Sequence, residues 1–203
     1  MAGTHASPSF YLWPFWIVSL HHVTFASTNQ NKFIEVQSIL STLDISVQFA
    51  KLNLVEVQSD SLKDISEEKA RSAFAELERP VIVEDDGLFI NALNGFPGPY
   101  SSFVFRTVGN RGILKLLADT GDRSASFRSL VAYHDGRNTS IFEGIVEGSI
   151  SYEIAEGGWG YDPIFVPSGT ELTFAQLKNR KNDYSHRRKA LEEFSHFMSS
   201  RKG

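Results

Sequence analysis

The apolar run Val81-Ile82-Val83 ends in three consecutive acids, Glu84-Asp85-Asp86, followed by Gly87. No other feature constrains the fold as much. An apolar run bounded by Pro80 and Gly87 reads as a buried strand. Adjacent carboxylates repel one another and resist desolvation, so a strand that delivers three of them must deliver them to a cation or to a solvated loop. Strand ends in α/β sheets are also where ligand sites collect. The sequence therefore predicts a strand that stops at the acids, with either a site or a polar turn at its end.

The rest of the chain alternates short apolar runs with helical spacing, the mark of an α/β or α+β domain. Residues 23–27 read as a buried strand leading into a helix with Phe33, Val36, Ile39, Leu40 and Leu43 on one face. Residues 45–50 read as a second strand. Residues 61–77 read as a helix with Ala70, Ala73, Phe74 and Leu77 together, stopped by Pro80. A short helix is predicted at 112–121, closed by a glycine, and two strands at 124–150 joined at Asp135-Gly136. A glycine-rich loop follows, then a last helix carrying Leu191, Phe194, Phe197 and Met198 on one face. A length of 203 residues suits one domain, or one core split into two lobes. With 41% hydrophobic and 22% charged residues, wholesale disorder is excluded.

The absence of cysteine rules out disulfides, thiolate nucleophiles and Cys-ligated metal centres, and fits a cytoplasmic protein. The net charge of −4 argues against a nucleic-acid partner held by bulk charge. The charge is nevertheless uneven: residues 52–86 hold ten acids and four bases, residues 178–189 six bases and one acid. Folded around one cleft these segments suit a metal-bound polyphosphate; otherwise they are solvated helix faces. Residues 10–20 are apolar and aromatic, but too short to span a bilayer, interrupted by Pro14, and not preceded by the basic residues of a signal peptide. Residues 1–20 are set apart as an N-terminal extension, and no membrane partner is expected.

Four segments carry chemistry. Ser27-Thr28-Asn29-Gln30-Asn31-Lys32 stands at a strand-to-helix junction, where free N–H groups and the helix dipole favour an anion. It is either a phosphate grip or an ordinary helix cap with a surface lysine. One of the three acids can hold magnesium while orienting or deprotonating a water. Gly157-Gly158-Trp159-Gly160-Tyr161-Asp162-Pro163 sets two aromatics among glycines, either to stack on a planar base or to plug the core. Lys181-Asn182-Asp183-Tyr184-Ser185-His186-Arg187 opens the last helix with a lysine able to neutralise phosphate and an arginine able to donate to a base carbonyl.

Taken in this order, the segments resemble the inosine triphosphate pyrophosphatase family, the house-cleaning purine nucleoside triphosphate pyrophosphatases. Four blocks carry the resemblance: STNQNK, VEDDGLFINALNGFPGPYSS, GGWGYDPIF and KNDYSHRRKAL. It runs from Val23 to the C-terminus. The fold it implies is α/β, a long curved mixed β-sheet with flanking helices and two lobes around a central nucleotide-binding cleft. That fold would form one domain over residues 21–203, usually as a homodimer. The implied reaction is magnesium-dependent hydrolysis of ITP, dITP and XTP at the α-phosphorus, giving the monophosphate and pyrophosphate.

Carried over by position, Ser27, Thr28, Asn29, Gln30, Asn31 and Lys32 hold the triphosphate. Asp85 is metal ligand and proton acceptor, Glu56 is a second metal carboxylate, and Asp86 lies beside the substrate. Trp159 and Tyr161 flank the base, with Gly160 and Asp162 in the same loop. Lys181 faces the phosphates, and His186 and Arg187 read the purine edge.

Departures from the family pattern accompany the resemblance. Ser or Thr is common where this chain has Asp86, and a basic residue often found after Pro-Gly-x-Tyr is replaced by Ser101, Ser102 and Phe103. Two other functions stay open: a pyrophosphatase for pyrimidine or modified nucleotides, and a catalytically weak nucleotide-binding module.

Overall fold

A computed structural model of the protein describes residues 21–201; the N-terminal extension at 1–20 lies outside the described residues. The first half alternates strand and helix: β1 (His21–Ala26), α1 (Gln30–Ser41), β2 (Ile45–Ala50), α2 (Leu62–Leu77) and β3 (Val81–Ile90). Next come β4 (Pro97–Gly98), α3 (Ser101–Thr107), α4 (Gly109–Leu116), β5 (Ser124–His134), β6 (Thr139–Ile150) and β7 (Phe165–Pro167). The one-turn helices α5 (Phe174–Leu177) and α6 (Lys181–Tyr184) lead into the long α7 (His186–Ser200). The strands form one mixed sheet in the order β2-β1-β3-β5-β6-β7, with β4 paired to β3. The pairs β1–β2 and β1–β3 are parallel, and the remainder antiparallel.

The expectation that the strand stops at the acids is corrected. β3 runs straight through Glu84, Asp85 and Asp86, because β5 pairs with all of it, from Val81↔His134 to Ile90↔Ala125. With the backbone satisfied on that side, the side chains need not leave the sheet; they only have to alternate across it. The predicted helix at 112–121 is α4, which starts earlier, at Gly109, and ends at Leu116. Gly109 takes a φ of 65°, a left-handed turn that ends α3 and redirects the chain.

Alternation sorts the core. Val23, Phe25 and Ile82 point to the face covered by α1 and α7, where they meet Val36, Ile39, Leu191 and Phe194. Ala26, Val81 and Val83 point to the other face, where Ala70 and Ala73 of α2 cover them. Beyond the acids, Leu88 and Ile90 join a third cluster with Phe127, Phe165 and Phe174. The carboxylates therefore sit between two blocks of apolar packing on one strand.

Two topological facts open a cleft there. β1 sends one connection to β2 on one side of it, and the chain returns to β3 on the other, so the strand order reverses at β1. β1 also pairs with β3 only at Thr24↔Val81 and Phe25↔Ile82. Past Ile82 the edge of β3 faces the β1–α1 junction, and the Lys32 ammonium donates to the Glu84 carbonyl at 3.2 Å.

Gly144 seats the last helix. It lies in β6 opposite Ser129, which in turn lies opposite Asp86. A β-carbon there would stand 2.0 Å from the His186 carbonyl oxygen and 2.6 Å from the Ala190 nitrogen. Gly144→Ala must therefore lift the first turn of α7, and with it His186 and Arg187, off the sheet. We expect at least about 2 kcal/mol of destabilisation, the range for overpacking against backbone, read by denaturant unfolding. An unchanged midpoint would show that α7 does not depend on this contact.

Candidate functional site

A cleft of about 710 Å³ opens where β1 ends, of a size that suits a small-molecule ligand. Its wall at the head of α1 is built by a helix cap. The Asn29 side chain accepts from the Asn31 and Lys32 backbone nitrogens at 3.0 and 3.2 Å, and Ser27 Oγ accepts from the Asn29 nitrogen at 3.0 Å. Two of the free N–H groups are thus already capped from within the segment. Ser27, Thr28, Asn29, Asn31 and Lys32 line the cleft, whereas Gln30 is exposed and not among the lining residues.

Strand alternation divides the three acids. Glu84 and Asp86 project toward α1 and α7. Glu84 and Arg187 are an ion pair with both side chains wholly buried, Nε to Oε1 at 3.1 Å. Ser129 Oγ donates to the same Oε1 at 2.6 Å, and Lys32 Nζ lies 2.9 Å from Oε2. Arg187 Nη2 donates to Asp86, and its Nη1 to Glu35. Burial opposes the charged state of these carboxylates, but the facing cations win: Glu84 is held below the usual range by Arg187 and Lys32, and Asp86 well below it by Lys32 and Arg187. Burial likewise works against the Lys32 ammonium, which Asp86 and Glu84 nevertheless hold above its ordinary value.

Asp85 projects the other way, toward α2. Ser66 Oγ donates to its Oδ2 at 3.0 Å, and Lys69 Nζ to its Oδ1 at 2.6 Å. Lys69 also donates to Glu56 Oε1 at 2.5 Å. Two carboxylates thus aim oxygens at a single positive charge. No cluster of three or more His, Asp or Glu side chains among the described residues is arranged to hold a metal alone. Magnesium, however, commonly takes one or two carboxylates with water and substrate phosphates completing its shell. The oxygen-only pair Asp85–Glu56 fits that requirement at the spot Lys69 now occupies.

The aromatic wall differs from the expectation in detail. Trp159 is half-buried, and its Nε1 donates to Glu35 Oε1 at 2.8 Å. Tyr161 lines the cleft but is mostly core: it is buried, and its hydroxyl donates to the Ser101 carbonyl at 2.9 Å. Asp162 clasps the loop, accepting from the Trp159 nitrogen at 3.3 Å, while the Gly160 carbonyl accepts from Asn110 at 3.0 Å. Lys181, which the resemblance sets facing the phosphates, lines the cleft between Glu35 and Asp162, at 2.7 and 2.9 Å, with Nζ 5.0 Å from the Trp159 ring centre.

His186 is 2% exposed and stacked on Phe127 with ring centres 4.2 Å apart. Neither of its ring nitrogens has a hydrogen-bond partner, although both are buried and the residue lines the cleft. Burial pulls its pKa below 6.5 despite Asp86, so the ring is neutral at pH 7 and offers one donor and one acceptor. Arg187 also lines the cleft, but its Nε, Nη1 and Nη2 are each already engaged by a carboxylate.

Sequence reasoning missed Glu35, Ser66, Lys69 and Arg106. Glu35 is the hub that joins Trp159, Lys181 and Arg187. Its signal was available as Lys32-x-x-Glu35, one face of α1 carrying opposite charges; Ser66 and Lys69 share one face of α2 at the same spacing but offer no charge pair to mark them. Arg106 lines the cleft one turn beyond Ser102, to whose Oγ it donates at 3.0 Å. A base thus reaches this wall, although Ser101, Ser102 and Phe103 supply none.

A sequence profile of the Ham1 family matches residues 23–197. A Saccharolobus solfataricus protein named dITP/XTP pyrophosphatase is 45% identical, the match covering 86% of this chain and 92% of the relative. A Methanopyrus kandleri protein of the same name is 49% identical over 88% of this chain and 96% of its own. The Staphylococcus aureus Ham1 protein structure superposes with a TM-score of 0.77 at 31% identity, over 89% of this chain and 100% of that one.

The electrostatics of the hub are testable. Burial resists the Glu35 charge, yet Arg187 and Lys181 lower its pKa from 4.5 to about 2. A folded value below the unfolded one gives stability that is complete above about 4.5 and lost as pH falls towards about 2. Glu35→Gln should therefore cost about 2–3 kcal/mol at pH 7, with the gap from the parent closing as pH falls from 4.5. Urea unfolding at pH 7 and pH 3 checks both points; an equal gap at the two values would mean the loss is one of packing rather than charge.

Proposed function

The chain belongs to the Ham1 family, and we propose that it hydrolyses non-standard purine nucleoside triphosphates, ITP, dITP and XTP, to the monophosphate and pyrophosphate. The observation that carries the reading is one cleft with two chemically distinct ends. Lys69 and the Asp85–Glu56 carboxylate pair lie at one end, Trp159, Lys181 and the unpartnered His186 lie at the other, and Lys32 stands between them beside Asp86. A triphosphate suits the first end and an oxopurine the second.

Ser27, Thr28, Asn29, Asn31 and Lys32 would take the phosphate chain, with Lys32 and Lys69 offsetting its charge. Gln30, which the resemblance included, is left out. Asp85 and Glu56 would hold magnesium, which when bound neutralises phosphate oxygens and acidifies water. Occupancy there requires Lys69 to yield its place between the two carboxylates, freeing its ammonium for a phosphate oxygen. Asp85, oriented by Ser66, would accept the proton of the water that attacks the α-phosphorus. The leaving pyrophosphate develops negative charge, which Lys32 and Lys69 in the cleft wall would offset.

The base would lie against Trp159, whose edge is fixed by Glu35. Neutral His186 and Lys181 would offer donors to the purine 6-carbonyl, while the amino group of adenine presents a competing donor. Buried donors left unpaired by the wrong base cost about 1–3 kcal/mol per group. Arg187 would complete this edge, placed by its three carboxylates.

The reading extends to residues 21–203 as one domain, a homodimer and a cytoplasmic location. Apolar side chains exposed on α3 and α4, including Phe103 and Leu116, support a covered surface, and the cysteine-free sequence suits a reducing compartment. Among the described residues no helix is long and apolar enough to cross a membrane.

Pyrophosphate release from ITP, XTP, dUTP, ATP and GTP, each with magnesium and with chelator, tests the function. We expect ITP and XTP to lead and chelator to abolish release; preference for dUTP would point to a pyrimidine enzyme. Asp85→Asn keeps the shape and removes the charge, so turnover on ITP should fall at least about a hundredfold. Turnover within a few-fold of the parent would remove Asp85 from the proton-accepting role.

A further inference from the structure

The ion pairs around the cleft hold more carboxylates than cations: Asp162 joins Glu35 on Lys181, and Asp86 joins Glu84 on Lys32 and Arg187. Glu84 is paired by Lys32 and Arg187, Glu35 by Lys181 and Arg187, and Asp85 and Glu56 share Lys69. Without Asp86, every one of these cations keeps a carboxylate. Asp86 sits on the Glu84 face of β3, with 17% of its side chain exposed, and lines the cleft. Its Oδ1 is 3.3 Å from Lys32 Nζ, its Oδ2 accepts from Arg187 Nη2, and Oδ2 lies 3.9 Å from His186 Nε2. One carboxylate thus ties the ammonium at the head of α1 to the guanidinium at the head of α7.

To Lys32, a carboxylate oxygen and a phosphate oxygen are the same kind of partner: an anionic acceptor at hydrogen-bond distance. The two cannot share the ammonium without repelling each other across a few ångströms of partly buried space. A polyphosphate that arrives without a cation brings its full charge against Asp86, whereas one loaded with magnesium brings much less. We propose that Asp86 is a specificity-determining residue: it competes with the substrate's phosphate oxygens for Lys32, so that the cleft accepts cation-neutralised triphosphate and rejects free polyphosphate. This rests on the reading of Lys32 as a phosphate ligand.

Calorimetric titration of the full chain tests it, using inorganic pyrophosphate and a non-hydrolysable α,β-methylene analogue of ITP, each with magnesium and with chelator. Asp86→Asn and Asp86→Ser should bind both ligands about tenfold tighter in chelator, a difference of about 1.4 kcal/mol. With magnesium the gain should stay below about threefold. Arg187 retains Glu84 and Glu35 in these variants, and an unchanged thermal midpoint confirms that the cleft is intact. Metal-free affinity in both variants within about twofold of the parent, or weaker, overturns the proposal.

Lys32→Ala separates this proposal from the reading beneath it. If that variant binds as tightly as the parent, Lys32 is no phosphate ligand and both fall. If it binds weakly while the Asp86 variants show no tightening, only the competition is wrong. In the Lys32→Ala background the tightening from Asp86→Asn should disappear; tightening that persists there would mean Asp86 acts through general charge and not through Lys32.

Discussion

The buried pair between Glu84 and Arg187 is the contact on which the site depends. Neither side chain touches solvent. Removing two charges from water costs several kcal/mol per ion, and their mutual attraction offsets that only if the remaining donors and acceptors are satisfied. Here partners come from three directions: Ser129 donates to Glu84 Oε1 and the Lys32 ammonium stands 2.9 Å from Oε2, while Glu35 and Asp86 accept from Arg187. The cost of leaving any one of these groups unpaired locks α1 and α7 onto β3. Pair and helices are thus mutually dependent, and the positions of Lys32, His186 and Trp159 follow from them.

The second constraint is the two-residue period of a strand. Because Glu84 and Asp86 share one face and Asp85 the other, three adjacent acids serve two separate environments. Asp85 meets Ser66 and Lys69 from α2, away from the Arg187 network. Its neighbours repel it less than sequence adjacency suggests, since Asp85 faces Lys69 while Glu84 and Asp86 together face Lys32 and Arg187. This separation also lets a structural ion pair and the carboxylate proposed to hold magnesium stand one residue apart.

Much of the fold was legible locally. The strands at 45–50 and 124–150 and the helix of α2 carry their periodicity and caps in a few consecutive residues, and Ser61 caps α2 with an ordinary side-chain bond to the Asp64 nitrogen. The end of β3 was not legible. Its acids look like a strand terminus until β5 is known to pair with the whole of it. The surroundings of Tyr161 and Lys181 were not legible for the same reason: loop spacing gives residue types, while the direction of a ring or an ammonium depends on Ser101, Glu35 and Asp162, which are distant in sequence or on another element.

The chemistry of the cleft, with its run of acids, capped strand-to-helix junction, aromatic-glycine loop and basic last helix, was determined by the sequence itself. Those are matters of residue type and local spacing, and short-range physics decides them. The tertiary structure alone decided which charges cancel. Glu35 looks like a surface residue of an amphipathic helix, yet it becomes the hub because Trp159, Lys181 and Arg187 converge on it from more than a hundred residues away. Asp86 looks like one more acid in a row, yet it joins Glu84 in spanning Lys32 and Arg187 while keeping part of its side chain open to the cleft. Electrostatic energy depends on distance and burial, and a sequence reveals neither for residues far apart along the chain.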